Sequence, residues 1–382
     1  MVRKSAFVPL ILAITLMSAS QINGAPPVAK QADYFLYVGT YGKGVYAYRY
    51  ASGDGNFQSL GLVGEVVNPS FITSGRDGKN LYAVSEVEGK ADGGVAAFSI
   101  DRKSGALTPL NHVSSAGVAP CHLAVDHTGK MLVVANYGTG GVSAFPLEAD
   151  GRLGVMSALM TAQGSSVNPQ RQEGPHAHET VIPADNRFLY VPDLGLDQIR
   201  IYKLDPAQAK LTPSDPPFIK EEPGSGPRHI AFSPNGKQAY VINELKSAVY
   251  VFNYDAAAGA LQQVQTVSTL PPGFTGENGP AEVLIDRGGR FLYASNRGPG
   301  TIAVFAIDPT AGTLKQVQVA ATGGTFPRGV DIDPTGRLLL AGDQKADQFV
   351  VFAIDPASGQ LSLTGKVFNV PSPVAFAFVP VK

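Results

Sequence analysis

The stretch Gly226–Glu244, GPRHIAFSPNGKQAYVINE, reads as two short strands and the turn between them. Asn235-Gly236-Lys237 supplies the reversal, because Asn and Gly tolerate the positive φ that tight hairpins require. Pro227 stands at the start of the first strand, where its missing N–H costs no ladder bond. An antiparallel pair folded at that turn brings the two far ends together, which predicts Arg228 opposite Asn243.

The phrase recurs seven times. Its second strand carries an apolar pair at Leu36-Tyr37, Leu81-Tyr82, Leu132-Val133, Leu189-Tyr190, Ala239-Tyr240, Leu292-Tyr293 and Leu339-Leu340, with 45 to 57 residues between successive copies. That period is in the range of propeller blades. Pro69, Pro120, Pro227, Pro280 and Pro327 stand thirteen residues before the pair's second member, and Ala177 takes that place in one copy. Downstream come an alternating strand, such as Thr301–Phe305, and an Asp-x-x-x-Gly-x-Leu turn at Asp101–Leu107 and Asp308–Leu314. A fourth strand follows, so each repeat reads as a four-stranded antiparallel sheet.

The first copy, from Tyr34, lacks an inner strand, and the C-terminus supplies an orphan one at Pro373–Val379. The two ends are expected to share a blade, which closes the ring and removes open sheet edges. The expected fold is an all-β, seven-bladed propeller in a single domain over 26–382, in place of a linear solenoid or two β domains.

Composition agrees: 43 Gly and 29 Pro accompany only 16% charged residues. The absence of Trp argues against WD-type repeats. A formal net charge of −1 without basic runs excludes a nucleic-acid footprint. Residues 1–25, with Arg3 and Lys4 before an apolar stretch from Ala6 to Met17, read as a secretory signal cut after Ser20 or Ala25. A periplasmic or secreted protein without a membrane anchor is expected, the competing reading being an uncleaved anchor. The lone Cys121 allows no intrachain disulfide and is read as structural, with His122 on the opposite strand face.

The hairpin geometry gathers polar residues at one channel mouth. They are Ser70 with Glu86, Cys121 and His122 with Tyr137, His178 and Glu179 with Asp193, Arg228 and His229 with Glu244, Glu282 with Arg297, and Arg328 with Asp343. His122, His176, His178 and His229 make four of the six histidines there. Such a concentration of titratable groups marks a candidate site, although inter-blade networks use the same residue types.

The phrases Gly174-Pro175-His176-Ala177-His178, Gly226-Pro227-Arg228-His229, Asn243-Glu244-Leu245, Asn296-Arg297-Gly298 and Phe326-Pro327-Arg328-Gly329 resemble signatures of the seven-bladed β-propeller lactonase family. That family includes propeller-type 6-phosphogluconolactonases and fungal carboxymuconate cyclases, and the resemblance covers nearly everything after the leader. It implies a lactonase acting on a small-molecule lactone or anionic sugar acid, without metal or other cofactor. His178, Arg228, Glu244 and Arg297 match the residues proposed to work in the carboxymuconate branch. His176 and Arg328 belong to further family motifs, and with His229 and Glu282 they make the expected substrate-binding set.

These residue types suit that chemistry. Arginines hold carboxylates or phosphates and stabilise an acyl oxyanion. Glu244 is the expected base for water, and His178 the expected donor to the departing ring oxygen. Three other readings stand beside this one: Arg228–Glu244 as a structural ion pair, His176 and His178 with Glu179 as metal ligands, and His122, His229, Glu282 and Glu179 as packing residues. The chemistry could also run as lactone formation, or the propeller could be a binding module without catalysis. The irregular stretches Leu159–Gly174 and Pro272–Gly279 are candidate covers for the mouth.

Overall fold

The computed structural model describes residues 1–2, 33–52, 55–88 and 93–382. Beyond its first two residues, the leader expected over 1–25 lies outside the described residues; every blade lies within Ala32–Lys382.

The Gly226–Glu244 stretch forms strands Pro227–Phe232 and Gln238–Asn243, turned where Gly236 has φ +68°. Ala248–Asp255 and Ala260–Ser268 complete that sheet. Seven sheets of this order follow one another, and among the described residues the regular structure is all strand. The first sheet is the shared one: C-terminal Pro373–Pro380 lies inside Asp33–Thr40, with Tyr37 opposite Ala377 and Thr40 opposite Pro373. Pro120, Pro227, Pro280 and Pro327 take the same place against Asn136, Asn243, Asn296 and Asp343. The closing strand is thus in register with the other inner strands, and it packs between Pro327–Ile332 and Ile72–Ser74.

The fourth blade departs from the four-stranded expectation. Phe188–Asp193, Gln198–Asp205 and Lys210–Lys220 form three continuous strands, and the inner place is held by two isolated bridges, Ala177 to Asp193 and Val181 to Tyr190. Pro175 and Pro183 bracket this segment and remove N–H donors at both its ends. Ala177 nevertheless occupies the position proline holds elsewhere.

Tyrosine in the recurring pair has a role beyond packing. The hydroxyls of Tyr37, Tyr82, Tyr190, Tyr240 and Tyr293 donate at 2.9 to 3.1 Å to the carbonyls of Gly105, Gly151, Gly259, Gly312 and Gly359 in the following blade's outer turn. All five rings are buried. Those glycines have φ between +70° and +88°, which explains glycine at that place in the turn. Each contact ties one sheet to the next where flat sheet packing alone would allow sliding.

Candidate active site

The inner strands begin with a bulge. Pairing slips between Pro227 and His229, between Pro327 and Gly329, and between Pro120 and His122. Pro227, not Arg228, therefore lies opposite Asn243, and Arg228 is the extra residue. A bulge breaks strict alternation and re-aims a side chain. Cys121 and His122 both reach the fourth blade's inner segment, while the His122 ring also packs on Phe71 of the preceding blade at 3.7 Å. Cys121 Sγ contacts the His178 carbonyl at 3.2 Å, and His122 Nδ1 lies 3.2 Å from Thr180.

Glu244 follows the end of the second strand of blade five, and Arg297 holds the equivalent place in blade six. Between them and the bulge residue a compact ion cluster forms. Arg297 Nη2 lies 2.7 Å and Arg228 Nε 3.0 Å from Glu244 Oε2, while Arg171 Nη2 lies 2.7 Å from Oε1. The Arg228 Nε–H is aligned with no acceptor, so that pair is a charge contact rather than a hydrogen bond. Burial raises the Glu244 pKa, but Arg297, Arg228 and Arg171 together override it and bring it to about 2. Burial and the neighbouring Arg328 and Arg297 bring Arg228 down to about 10.

A second group faces it. Arg328 Nη2 donates to Tyr41 Oη at 2.9 Å, and Tyr41 donates to Glu86 Oε2 at 2.7 Å, where Ser70 also donates. Among the described residues no carboxylate lies within ion-pair distance of Arg328. Four guanidiniums and Lys345 thus meet Glu244, Glu86 and Glu277, while burial holds the neighbouring Glu282 up to about 7, so the mouth carries an excess of positive charge. Between the groups sits His178, buried, its Nδ1 without a partner. Burial first, then Arg228 and His229, hold its pKa well below the usual imidazole value, so the ring is neutral.

His176 is engaged otherwise. It stacks on Tyr137 at 4.6 Å and contacts the Tyr137 carbonyl and Glu173 at 2.9 and 3.0 Å. Beside the ion cluster a cavity of about 420 Å³ is lined by Arg171, Arg297 and Lys345, by the carboxylates of Glu244 and Glu277, and by Phe326. The Lys345 ammonium lies 4.1 Å from the Phe326 ring centroid.

One residue further along the inner strands are His122, Glu179, His229 and Glu282. His229 Nδ1 is 2.8 Å from Glu282 Oε1, and Glu179 accepts from the Ile230 N–H. Burial raises both carboxyls, Glu282 to about 7 and Glu179 well above its ordinary value, the latter with Glu282 as a second cause. Glu179, His229 and Glu282 offer ligand atoms within 4.8 Å of one another. The hydrogen bonds oppose a metal there. The Arg228 guanidinium faces His229 Nε2 at 3.3 Å, and the Thr180 N–H donates to His122 Nδ1 at 3.2 Å. Each donor fixes the ring proton on the nitrogen that faces the carboxylates, where a metal would need a lone pair. A separate cavity of about 360 Å³ borders Glu179 and Glu282 together with Asp331 and Phe376.

The structure therefore brings Arg228, Glu244 and Arg297 into direct contact, sets Arg328 and His178 beside them, and commits His176 to Tyr137 and Glu173. His229 and Glu282 face each other in the next layer. Sequence reasoning did not find Arg171, Tyr41 or Lys345 as site residues. Arg171 lies on the irregular stretch read only as a cover, outside the repeat positions; Tyr41, four residues after Tyr37, holds in blade one the place that Glu244 holds four residues after Tyr240, so the repeat itself was the signal that could have found it.

Fold and site together define a seven-bladed propeller with buried guanidiniums gathered at one channel mouth. The family model "Lactonase, 7-bladed beta-propeller" matches residues 35–378, and the chain belongs to that family. It is 36% identical over 295 residues to the 6-phosphogluconolactonase of Bacillus subtilis, covering 76% of this chain and 82% of that one. It is 33% identical over 290 residues to the 6-phosphogluconolactonase of Formosa agariphila, covering 74% and 81%. The solved periplasmic gluconolactonase of Pseudomonas aeruginosa superposes with TM-score 0.86 and 36% identity, covering 92% of this chain and all of that one.

Proposed function

We propose that this protein hydrolyses the ring ester of an aldonic-acid lactone at the Arg228–Glu244–Arg297 mouth. The excess of guanidinium over carboxylate in a buried mouth is the observation that carries this reading. A partner-binding propeller would instead present apolar loop tips. Arg328, lacking a carboxylate partner, suits the substrate's anionic or polyhydroxy end, and Arg228 with Arg297 suits the oxyanion that forms at the carbonyl.

Water adds to the carbonyl carbon, the ring C–O bond breaks, and the leaving oxygen takes a proton; the new acid then ionises and releases one. The neutral imidazole of His178, with its Nδ1 unpartnered among the described residues, is suited to take a proton from the attacking water and hand it to the leaving oxygen. Glu244 has a different role from the expected base. A carboxylate held at about 2, with both oxygens facing guanidiniums, is too weak a base and acts as the anion that assembles three arginines. No metal enters this scheme.

The substrate is one met outside the cytoplasm, phosphorylated or not. The leader-like residues 1–25 and the periplasmic relative support export, which N-terminal sequencing of the mature chain tests. The activity test is proton release against a panel of phosphorylated and free aldonolactones, with spontaneous opening subtracted. Accelerated opening lost in Arg228→Ala supports hydrolysis. Ring closure detected by product analysis, or no acceleration on any lactone, overturns it.

A further inference from the structure

Five blades place a residue with positive φ four positions after the end-of-strand Asn or Asp: Gly140, Asp197, Ser247, Gly300 and Asp347, with φ between +51° and +65°. Where that residue has a polar side chain, it hooks the segment leading into the next inner strand. Asp347 Oδ1 accepts the Ser372 N–H at 2.8 Å, one residue before Pro373. Ser247 Oγ accepts from Asn278 Nδ2 at 3.1 Å, two residues before Pro280. Asp197 does the same through the Gly226 N–H at 2.7 Å, one residue before Pro227, and through the Gly224 N–H at 2.7 Å. Ring construction accounts for these bonds.

Asp197 makes two more. Its Oδ1 accepts from Gln172 Nε2 at 2.7 Å and its Oδ2 from Ser166 Oγ at 2.5 Å, both in the irregular strap before the His176 motif. Neither Ser247 nor Asp347 has a counterpart to them. Asp197 is fully buried, as is Gln172, whose Nε2 also reaches the Leu194 carbonyl and whose Oε1 accepts the Asn168 N–H. Arg171, next to this plug, is the strap residue that reaches Glu244. Four donors converge on the two oxygens of Asp197, so only a carboxylate satisfies all of them; an amide would set N–H against donors.

We propose that Asp197 is a positioning residue that clamps the 161–174 strap across the mouth and so holds Arg171 where it meets the anionic group of the lactone. This rests on the lactonase reading of the mouth. Arg171 is the one guanidinium of the cluster on the strap, and its side chain is 41% exposed, against 3% for Arg228 and 11% for Arg297. It can therefore turn from Glu244 to a ligand without disturbing the sheet.

The test pairs kinetics with amide hydrogen exchange on the full mature chain. Asp197→Ser installs the side chain that the next blade uses; Ser166→Ala with Gln172→Met keeps the hook and removes the strap's bonds to Asp197, together with Gln172's bonds to the Leu194 carbonyl and the Asn168 N–H. Both are expected to raise KM for an anionic aldonolactone on the order of tenfold, from loss of charge-assisted bonds, with kcat within about twofold. Both are expected to lose exchange protection over 161–174 and not in the neighbouring strands. Adding Arg171→Met to either should raise KM little further, because both changes act through one guanidinium. Unchanged KM, or effects of the strap variant and Arg171→Met that multiply, overturns the proposal. Wild-type inactivity on every lactone overturns the lactonase reading instead. The exchange arm then decides the clamp alone, and retained protection over 161–174 in the strap variant overturns it.

Discussion

Arg297 Nη2 and Glu244 Oε2 lie 2.7 Å apart, and that same oxygen faces Arg228 at 3.0 Å, so a single carboxylate oxygen is shared by two guanidiniums from adjacent blades. Replacing Glu244 with Gln keeps the shape and removes the charge, leaving Arg228 buried without its counter-ion, a change that typically costs roughly 3–5 kcal/mol. Glu244→Gln is expected to lower the melting temperature and reduce kcat/KM by more than about a hundredfold. Activity loss with unchanged melting would restore Glu244 to the role of simple base.

The pH profile carries a second test of Glu244. Its folded pKa of about 2 lies below the ordinary 4.5, so its stabilising contribution is complete above pH 4.5 and is lost as pH falls through 2. Wild-type kcat/KM should show no acid limb between pH 3 and 5 arising from this group, and an acid limb there that Glu244→Gln removes would contradict it.

Glu282 and Asp331 behave in the opposite sense. Burial raises both to about 7. Groups raised on folding contribute stability that is complete below their unfolded values near 4 and is lost as pH rises through 7. Thermal unfolding should occur at lower temperature at pH 8.5 than at pH 5.5. The double variant Glu282→Gln, Asp331→Asn should flatten that difference, and an unchanged slope would count against buried, raised carboxyls.

Arg328→Met offers a contrast to Glu244→Gln. Arg328 contacts the Tyr41 hydroxyl and ring and is paired with no carboxylate, so its removal leaves no stranded partner charge. Melting should stay within a few degrees while KM for an anionic lactone rises on the order of a hundredfold, the loss of a bidentate anion contact. Normal KM would move the anion subsite elsewhere.

Chelation tests the protonation pattern of the next layer. With Thr180 N–H on His122 Nδ1 and Arg228 at His229 Nε2, the ring nitrogens facing Glu179 and Glu282 are donors. Extended dialysis against EDTA should leave lactone opening unchanged, and loss of activity restored by Zn²⁺ would reverse these tautomers.

Much of this architecture is legible in the sequence because each blade is a local object. Turn residues such as Asn235-Gly236, the proline thirteen residues before Tyr240, and the orphan strand Pro373–Val379 all follow from short-range rules of twofold alternation and positive φ. The same hairpin rule identified Arg228, Glu244, Arg297 and Arg328 as neighbours at one end of the sheets. It erred by one residue at Arg228, because a bulge needs no signature beyond the proline itself. It also gave blade four a complete inner strand, where Pro175 and Pro183 leave two bridges.

The amino-acid sequence by itself determined the number of blades, the closure through the chain ends and the set of charged residues available to the mouth, since these depend on periods and spacings along the chain. Only the tertiary structure decided what the charges do. Three arginines from blade five, blade six and the strap converge on Glu244, and their summed field outweighs burial and lowers its pKa. Coulombic neighbours and burial are properties of positions in space, and residues 73 and 53 positions from Glu244, Arg171 and Arg297, meet it only once the ring has closed.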